Sequence, residues 1–429
     1  MAIKKILVVV GIVLLAGVLA GGGYLAGTRL DKPTEEKAQA KEVEFVVEVY
    51  DLIKDNYWDK VSDEDLGKFF ALANEKLTGQ SAGDKIKSKD EVIKMVEGSL
   101  KEVADDKKKE YITTLTDMVL ANLNPFGRSR LYAQKDQESL SNTVNNINPE
   151  ADHFEALGVN KDASGQEIAV AFEKQEAKLV EEAKESTQAA QKLEEVKKAF
   201  QVLKDEDSRK TYEISGVEPT IEYKLLNPEV FYMRLTKYSP TSLEEFVRVA
   251  QKADKGEVLD SLILDLRGNI GGAIDSLPYF LGPFIGADQY AYQFFHQGET
   301  TDYKTRTGWL NELVRYKKVV VLIDEQSQSS AEVMAAVLKR YNAGVVLGTT
   351  SKGWGTVEKV YPMKTILDEK ETYSVFLVHS VTLRDDNQPI EGRGVDPLVS
   401  IKDPNWKKEM MRRFGSTRLI EAIDEVYKN

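Results

Sequence analysis

The chain has 429 residues and a formal net charge of −12, with 42% hydrophobic and 30% charged residues. That is length for two or three domains, and the composition does not favour long disorder. The acidic balance argues against a nucleic-acid partner. The chain has no cysteine, which excludes disulfides, thiol catalysis and Cys-ligated zinc. Its three histidines, His153, His296 and His379, are scattered, so no metal site or cofactor is expected.

Residues 1–30 read as a transmembrane anchor. Lys4 and Lys5 precede an uncharged, mostly apolar run, 6–27, long enough to span a bilayer. The leading lysines favour a cytoplasmic N-terminus and an extracytoplasmic body, a single-pass arrangement in the cell membrane. A cleaved signal peptide is the rival, with Val18-Leu-Ala20 as a small-residue cleavage site. Residues 31–41 are polar and read as a linker. Residues 42–148 are expected to be helical. Phe45, Val46, Val49, Leu52, Ile53 and Tyr57 share one face of the first helix, and helical periods continue over 63–77, 89–103 and 108–123. The charged stretches 84–90 and 104–109 are solvated turns or helix ends, and Asn124-Pro-Phe-Gly127 is a turn.

Residues 149–215 have helical periods and no strand-rich pattern. Residues 225–402 alternate strands with helices. Short apolar strands are expected at 231–235, 259–266, 318–323 and 344–347, and a capping box at Thr241-Ser242 with Glu244-Glu245 opens a helix to 253. This pattern predicts a largely parallel α/β sheet. Residues 286–306, polar and aromatic, suggest a hairpin or a substrate-facing loop. A strand over 373–383 carries His379, where a base is chemically attractive but a strand histidine is more often structural. Residues 403–429 are helical, with Leu419, Ile420, Ile423 and Val426 on the apolar face.

The most informative stretch, 317–357, reads strand, polar turn, helix, strand, loop. A serine where a strand gives way to a helix is a plausible nucleophile, because backbone N–H groups there stabilise negative charge. Ser329-Ser-Ala-Glu332 is equally a capping box. Residues 261–272, SLILDLRGNIGG, add a strand followed by a glycine-rich loop. That loop is either a tight turn or a set of N–H donors for an oxyanion.

These pieces, VFYMRLTKYSPTSLEEF at 230–246, LILDLRGNIGG at 262–272, VLIDEQSQSSAEVMAAVL at 321–338, VVLGTTSKGWGTV at 345–357 and IEGRGVDP at 390–397, resemble the C-terminal processing peptidases, or tail-specific proteases. The resemblance implies a ClpP/crotonase-like α/β core of mixed sheet and helices. It makes Ser329 the nucleophile with Glu332 as its marker, and gives the oxyanion to backbone N–H groups at Gly271, Gly272 and Ser330. It places the family's base lysine at position 354, which holds Trp354. The place of the glutamine that orients that lysine holds Glu358. An indole has one donor and no acceptor, so Trp354 cannot be the base. Lys352 is the substitute candidate, since an extended loop would turn both side chains to one side. The helical 42–148 region resembles the N-terminal part of the same peptidases, which implies a short acidic helix over 133–144.

Where that family carries a PDZ domain, residues 152–213 resemble a J-domain instead. Its first helix and loop match Asp152 to Val159 and Lys161 to Ser164, its second helix 168–182, and its third Leu193, Val196, Ala199, Phe200 and Leu203. The His-Pro-Asp tripeptide that stimulates a chaperone ATPase is replaced by Val180-Glu181-Glu182, so no ATPase partner is expected. Three functions follow. The first is a membrane-anchored extracytoplasmic serine peptidase that cleaves protein tails, impaired by the loss of its lysine. The others are a pseudoprotease that binds peptides or proteins without cutting, and a scaffold of the helical parts.

Overall fold

A computed structural model describes residues 35–80, 86–253, 259–384 and 386–428, with side chains from residue 41. The expected anchor at 1–30 lies outside them. No helix among the described residues is long and apolar enough to cross a membrane.

Helices α1 (Glu35–Asn56), α2 (Asp63–Thr78), α3 (Lys89–Leu100) and α4 (Lys108–Ala121) form a bundle. Its centre is fully buried Phe45, Val49, Ile53, Leu66, Phe70, Val96, Ile112 and Leu115. Ser62 and Ser88 cap α2 and α3, accepting the N–H groups of Asp65 and Glu91. Helix α1 starts at Glu35, so part of the stretch expected to be linker is helical. Its Glu, Lys, Ala and Gln residues are good helix formers, which polarity alone disguised. After a turn come β1 (Arg130–Ala133) and α5 (Gln134–Asn145).

The next module holds α6 (His153–Leu157), α7 (Gly165–Glu182), α8 (Thr187–Leu203) and α9 (Glu206–Ser215). Leu157, Ile168, Val196, Ala199 and Leu203 are its core, and Phe172 stacks on Phe200 with centroids 4.1 Å apart. Val180, Glu181 and Glu182 lie in the last turn of α7, and Glu181 pairs with Lys184.

The remaining elements are β2 (Ile221–Asn227), β3 (Val230–Leu235), α10 (Ser242–Lys252), β4 (Ser261–Asp265), α11 (Leu277–Ile285), β5 (Tyr290–His296), β6 (Glu299–Lys304), α12 (Asn311–Val314), β7 (Lys318–Ile323), α13 (Ser330–Arg340), β8 (Val345–Gly348), β9 (Thr356–Pro362), β10 (Tyr373–Leu383), β11 (Val399–Ser400), α14 (Trp406–Phe414) and α15 (Thr417–Lys428). A six-stranded sheet has the order β11-β8-β7-β4-β3-β2, parallel throughout except for β2. Its central strands are apolar on both faces because both are covered. Helices α10, α11 and α13 pack on one face, and α14 and α15 on the other through Trp406, Met410, Leu419 and Ile423. The capping box expected at 241 does not form: Thr241 is helical and caps nothing, and Glu245 instead accepts the Thr220 N–H at 2.7 Å.

A second sheet of five antiparallel strands runs β1-β10-β5-β6, with β9 also on β10. The expected hairpin over 286–306 is β5–β6, and its strands belong to this sheet. Tyr373, Val375 and Leu377 of β10 join the core of the N-terminal bundle. The bundle is therefore packed onto the second sheet.

Candidate active site

The loops that follow β4, β7 and β8 meet at the carboxyl ends of the parallel strands, the usual place for a site in such a sheet. Asp324 follows β7, and its carboxylate accepts the Gly268 N–H at 3.0 Å and the Ser327 N–H at 2.9 Å. Ser327 donates its hydroxyl to Leu266 O at 2.8 Å, and the Gln328 N–H reaches Asn269 O at 2.9 Å. The Lys352 N–H reaches Ser327 O at 2.9 Å. The three loops are stitched together before any reacting group is considered.

Ser329 stands at the turn into α13 with φ 56° and ψ −124°. A non-glycine residue there carries strain, and sharp strained turns are where nucleophilic serines project from a sheet. Only half of the expected cap forms. The Glu332 carboxylate accepts the Ser329 N–H at 2.8 Å, but the Glu332 N–H goes to Ser329 O and not to the hydroxyl. Among the described residues Ser329 Oγ takes part in no hydrogen bond, and the side chain is half-buried.

The glycine loop lies directly against this serine. A Cβ on Gly271 would stand 2.6 Å from Ser329 Cβ and 3.1 Å from its Oγ, and Gly271 has φ 81°. Glycine is therefore required there for close approach as well as for conformation. The Gly271 N–H is committed to Asn269 Oδ1 at 2.8 Å. The N–H groups of Gly272 and Ser330 have no acceptor among the described residues. These two are the donors free to face an oxyanion formed at Ser329. The Ser330 hydroxyl donates to Gly272 O at 3.2 Å, which holds the two segments together.

Glu332 organises the other side. Its side chain is fully buried and accepts four hydrogen bonds: Ser329 N–H at 2.8 Å, Ser351 Oγ–H at 2.6 Å, Gly353 N–H at 2.7 Å and Trp354 N–H at 2.8 Å. Burial pushes its carboxyl above the ordinary range despite these donors. The Ser329 turn and the 351–354 loop are thus held by one carboxylate.

Trp354 stands where the resemblance expects the base. Its ring is covered by the Arg128 guanidinium, 3.3 Å from carbon to ring centroid, and its Nε1–H points to Glu358 Oε1 at 3.4 Å. The Thr356 hydroxyl donates to the same oxygen at 2.5 Å, and burial pushes the Glu358 carboxyl up. Arg128 also pairs with Glu391 at 2.9 Å, and Glu391 accepts the Gly355 N–H at 2.8 Å. Lys352 is exposed, with its amine 5.2 Å from the centroid of the Trp354 ring. No hydrogen bond joins it to Ser329 among the described residues.

His379 is elsewhere. It lies on β10, stacked on His296 at 4.2 Å, accepting from Lys359 at its Nε2 and contacting Ser380 Oγ through Nδ1. Burial, with Lys359 and His296, pushes its imidazole down to about 4. Sequence reasoning treated Glu332 only as a cap or a marker and did not single out Ser351, Arg128 or Glu391. Those last three come from distant loops, and no local period signals them.

The model of peptidase family S41 matches residues 229–401, and that of the DnaJ domain matches residues 152–213. The chain is 29% identical over 185 residues to the carboxy-terminal processing protease CtpB of Bacillus subtilis (strain 168), a match covering 43% of this chain and 36% of the relative. It is 27% identical over 188 residues to a probable CtpA-like serine protease of Staphylococcus haemolyticus, covering 44% and 36%. The chain thus spans little more than a third of these relatives' length. The solved photosystem II D1 C-terminal processing protease aligns with TM-score 0.48 and 14% identity over 88% of this chain and 98% of that one. Residues 229–401, which carry Ser329, are thus similar to peptidase family S41 and to the carboxy-terminal processing proteases, and a match to the DnaJ domain precedes them.

Proposed function

We propose that this protein is a serine peptidase of the C-terminal processing type, acting on protein tails with Ser329 as nucleophile. The observation that carries the reading is the strained turn at Ser329, whose unbonded hydroxyl sits beside two uncommitted N–H donors, Gly272 and Ser330. In the reaction Ser329 Oγ attacks a peptide carbonyl and passes its proton to a base. The carbonyl oxygen gains the negative charge and is held by the two N–H groups.

Lys352 is the base in this reading. Its neighbours Ser351, Gly353 and Trp354 are all fixed to Glu332, and its amine already lies on the Trp354 face. The reading requires this flexible side chain to turn from the indole face to Ser329. A fluorophosphonate probe is expected to label Ser329 slowly. Absence of labelling, together with peptide cleavage unchanged by Ser329→Ala, would sink the reading. One observation favours a second reading, tail binding without cleavage: the base position is filled by an indole clamped under Arg128.

The apolar run at 6–27 supports a membrane anchor with the protease body outside the cytoplasm. Recovery of the full-length chain in the soluble fraction would count against it. The replacement of His-Pro-Asp by Val180-Glu181-Glu182 supports a DnaJ-type module without an ATPase partner, and stimulation of an Hsp70-type ATPase by this chain would refute that.

A further inference from the structure

Four buried side-chain polar atoms among the described residues have no partner, and two belong to this site: Gln328 Oε1, next to the nucleophile, and Arg128 Nη1, over Trp354. Buried polar atoms are nearly always satisfied, so the unpaired Arg128 donor indicates a ligand that brings an acceptor; Gln328 Oε1 is itself an acceptor and calls for a donor, not an anion. Arg128 is held for such a task. Its Nη2 is fixed by Glu391 at 2.9 Å, its face lies flat on the indole, and its side chain is only 16% exposed. A guanidinium pinned at one end presents its other donors in a fixed fork suited to a carboxylate.

The link to the nucleophile is direct. The N–H groups of Trp354 and Ser329 donate to the same Glu332 oxygen, each at 2.8 Å, and Arg128 sits on that Trp354 ring. The local charges permit an anion. Glu391 balances Arg128, and the Lys352 amine adds a second cation on the ring. Two further carboxyls face the loop, Glu332 on the Trp354 N–H and Glu358 under the indole nitrogen, and burial pushes both toward the neutral form.

We propose that Arg128 binds a carboxylate of the peptide held at the Ser329 site, taking it on Nη1. The inference rests on the tail-binding reading above and assigns terminus recognition to the protease core itself. Position 354, where an indole cannot serve as base, would then be a recognition surface, with Trp354 as the platform that orients the guanidinium.

The test measures binding of three apolar decapeptides to the full chain by fluorescence anisotropy: one with a free C-terminal carboxylate, one amidated, and one amidated with a single aspartate. The free acid is expected to bind about ten- to hundredfold more tightly than the plain amide, the range of a charge-assisted bond. If the aspartate peptide matches the plain amide, the carboxylate recognised is the chain terminus. If it matches the acid, side-chain carboxylates serve as well. Arg128→Gln, checked for an unchanged melting curve, should abolish the preference. Equal binding of all three peptides, or a preference that survives Arg128→Gln, overturns the inference and leaves the tail-binding reading standing. Binding of none of them overturns the tail-binding reading itself, and the inference with it.

Discussion

Replacing Gly271 by alanine tests whether the glycine loop and Ser329 form one site. The new Cβ would lie 2.6 Å from Ser329 Cβ and 3.0 Å from Gln328 O. Carbon atoms pack at about 3.5–4.0 Å, so one segment must retreat by about 1 Å. The left-handed backbone, φ 81°, adds a cost of about 1 kcal/mol, and overpacking adds about 1–3 kcal/mol. The expected loss is roughly 2–4 kcal/mol, a fall in Tm of about 5–12 °C for a domain of this size. Gly268 is the control. It also has positive φ, 66°, but its nearest neighbour would be 3.7 Å away, so Gly268→Ala should cost only about 1 kcal/mol. Urea unfolding gives the two stabilities and anisotropy gives tail-peptide affinity. Gly271→Ala should also weaken peptide binding by about tenfold or more, since the displaced loop carries Gly272. Equal stability and equal binding for the two variants would refute the argued contact.

Three further predictions follow from the same geometry. Glu332→Gln replaces an acceptor of four donors with a group that accepts on one oxygen only, so the 351–354 loop should come loose and tail binding should fall about tenfold or more. Its folded pKa is raised, so the charged group itself costs stability above that pKa, and this cost disappears on acidification. Mild acid should therefore weaken peptide binding without lowering global stability through this residue, and the pH effect should vanish in Glu332→Gln. Trp354→Lys restores an amine at the family's position, and tail cleavage should rise by about 100-fold over the unmodified chain and be lost again in the double variant with Ser329→Ala. Asp205→Asn should loosen the DnaJ-type module, which Asp205 ties to Arg248 and Lys252 of α10. Burial alone would raise this carboxyl, but Lys252, the Ser208 N–H and Arg248 outweigh it and hold it well below the usual range. The resulting stability, about 2–3 kcal/mol, is present above the ordinary aspartate pKa near 4 and is lost as pH falls below it. Limited proteolysis at 146–218 should speed up in the variant at neutral pH and in the unmodified chain in acid, and equal cleavage rates would refute the tie.

Local pattern carried much of the architecture. The short apolar runs within 318–323 and 344–347 suited buried parallel strands, and β10 is legible as an unbroken β-rich stretch at 373–383. The second sheet was not legible as a whole. Strand β1 has four residues, and β9 is half-exposed and polar, so neither has a period of its own and both depend on pairing with β10. At the site, Ser329, the glycine loop and the anomaly at Trp354 could be read from spacing. Arg128 could not, because it arrives across 226 positions from a turn after the helical bundle, and its meeting with Trp354 is a product of tertiary packing. Glu332 was visible but under-read: a capping carboxylate and a four-donor hub have the same sequence, and only burial tells them apart.

The most direct test of the account is mass-spectrometric mapping of fluorophosphonate adducts on the unmodified protein. The account predicts one slow adduct, on Ser329, that disappears in Ser329→Ala and slows at least about tenfold in Gly271→Ala. A chain that stays unlabelled at Ser329 after prolonged exposure, or is labelled equally in Gly271→Ala, would contradict a nucleophile set between the Gly272 and Ser330 N–H groups.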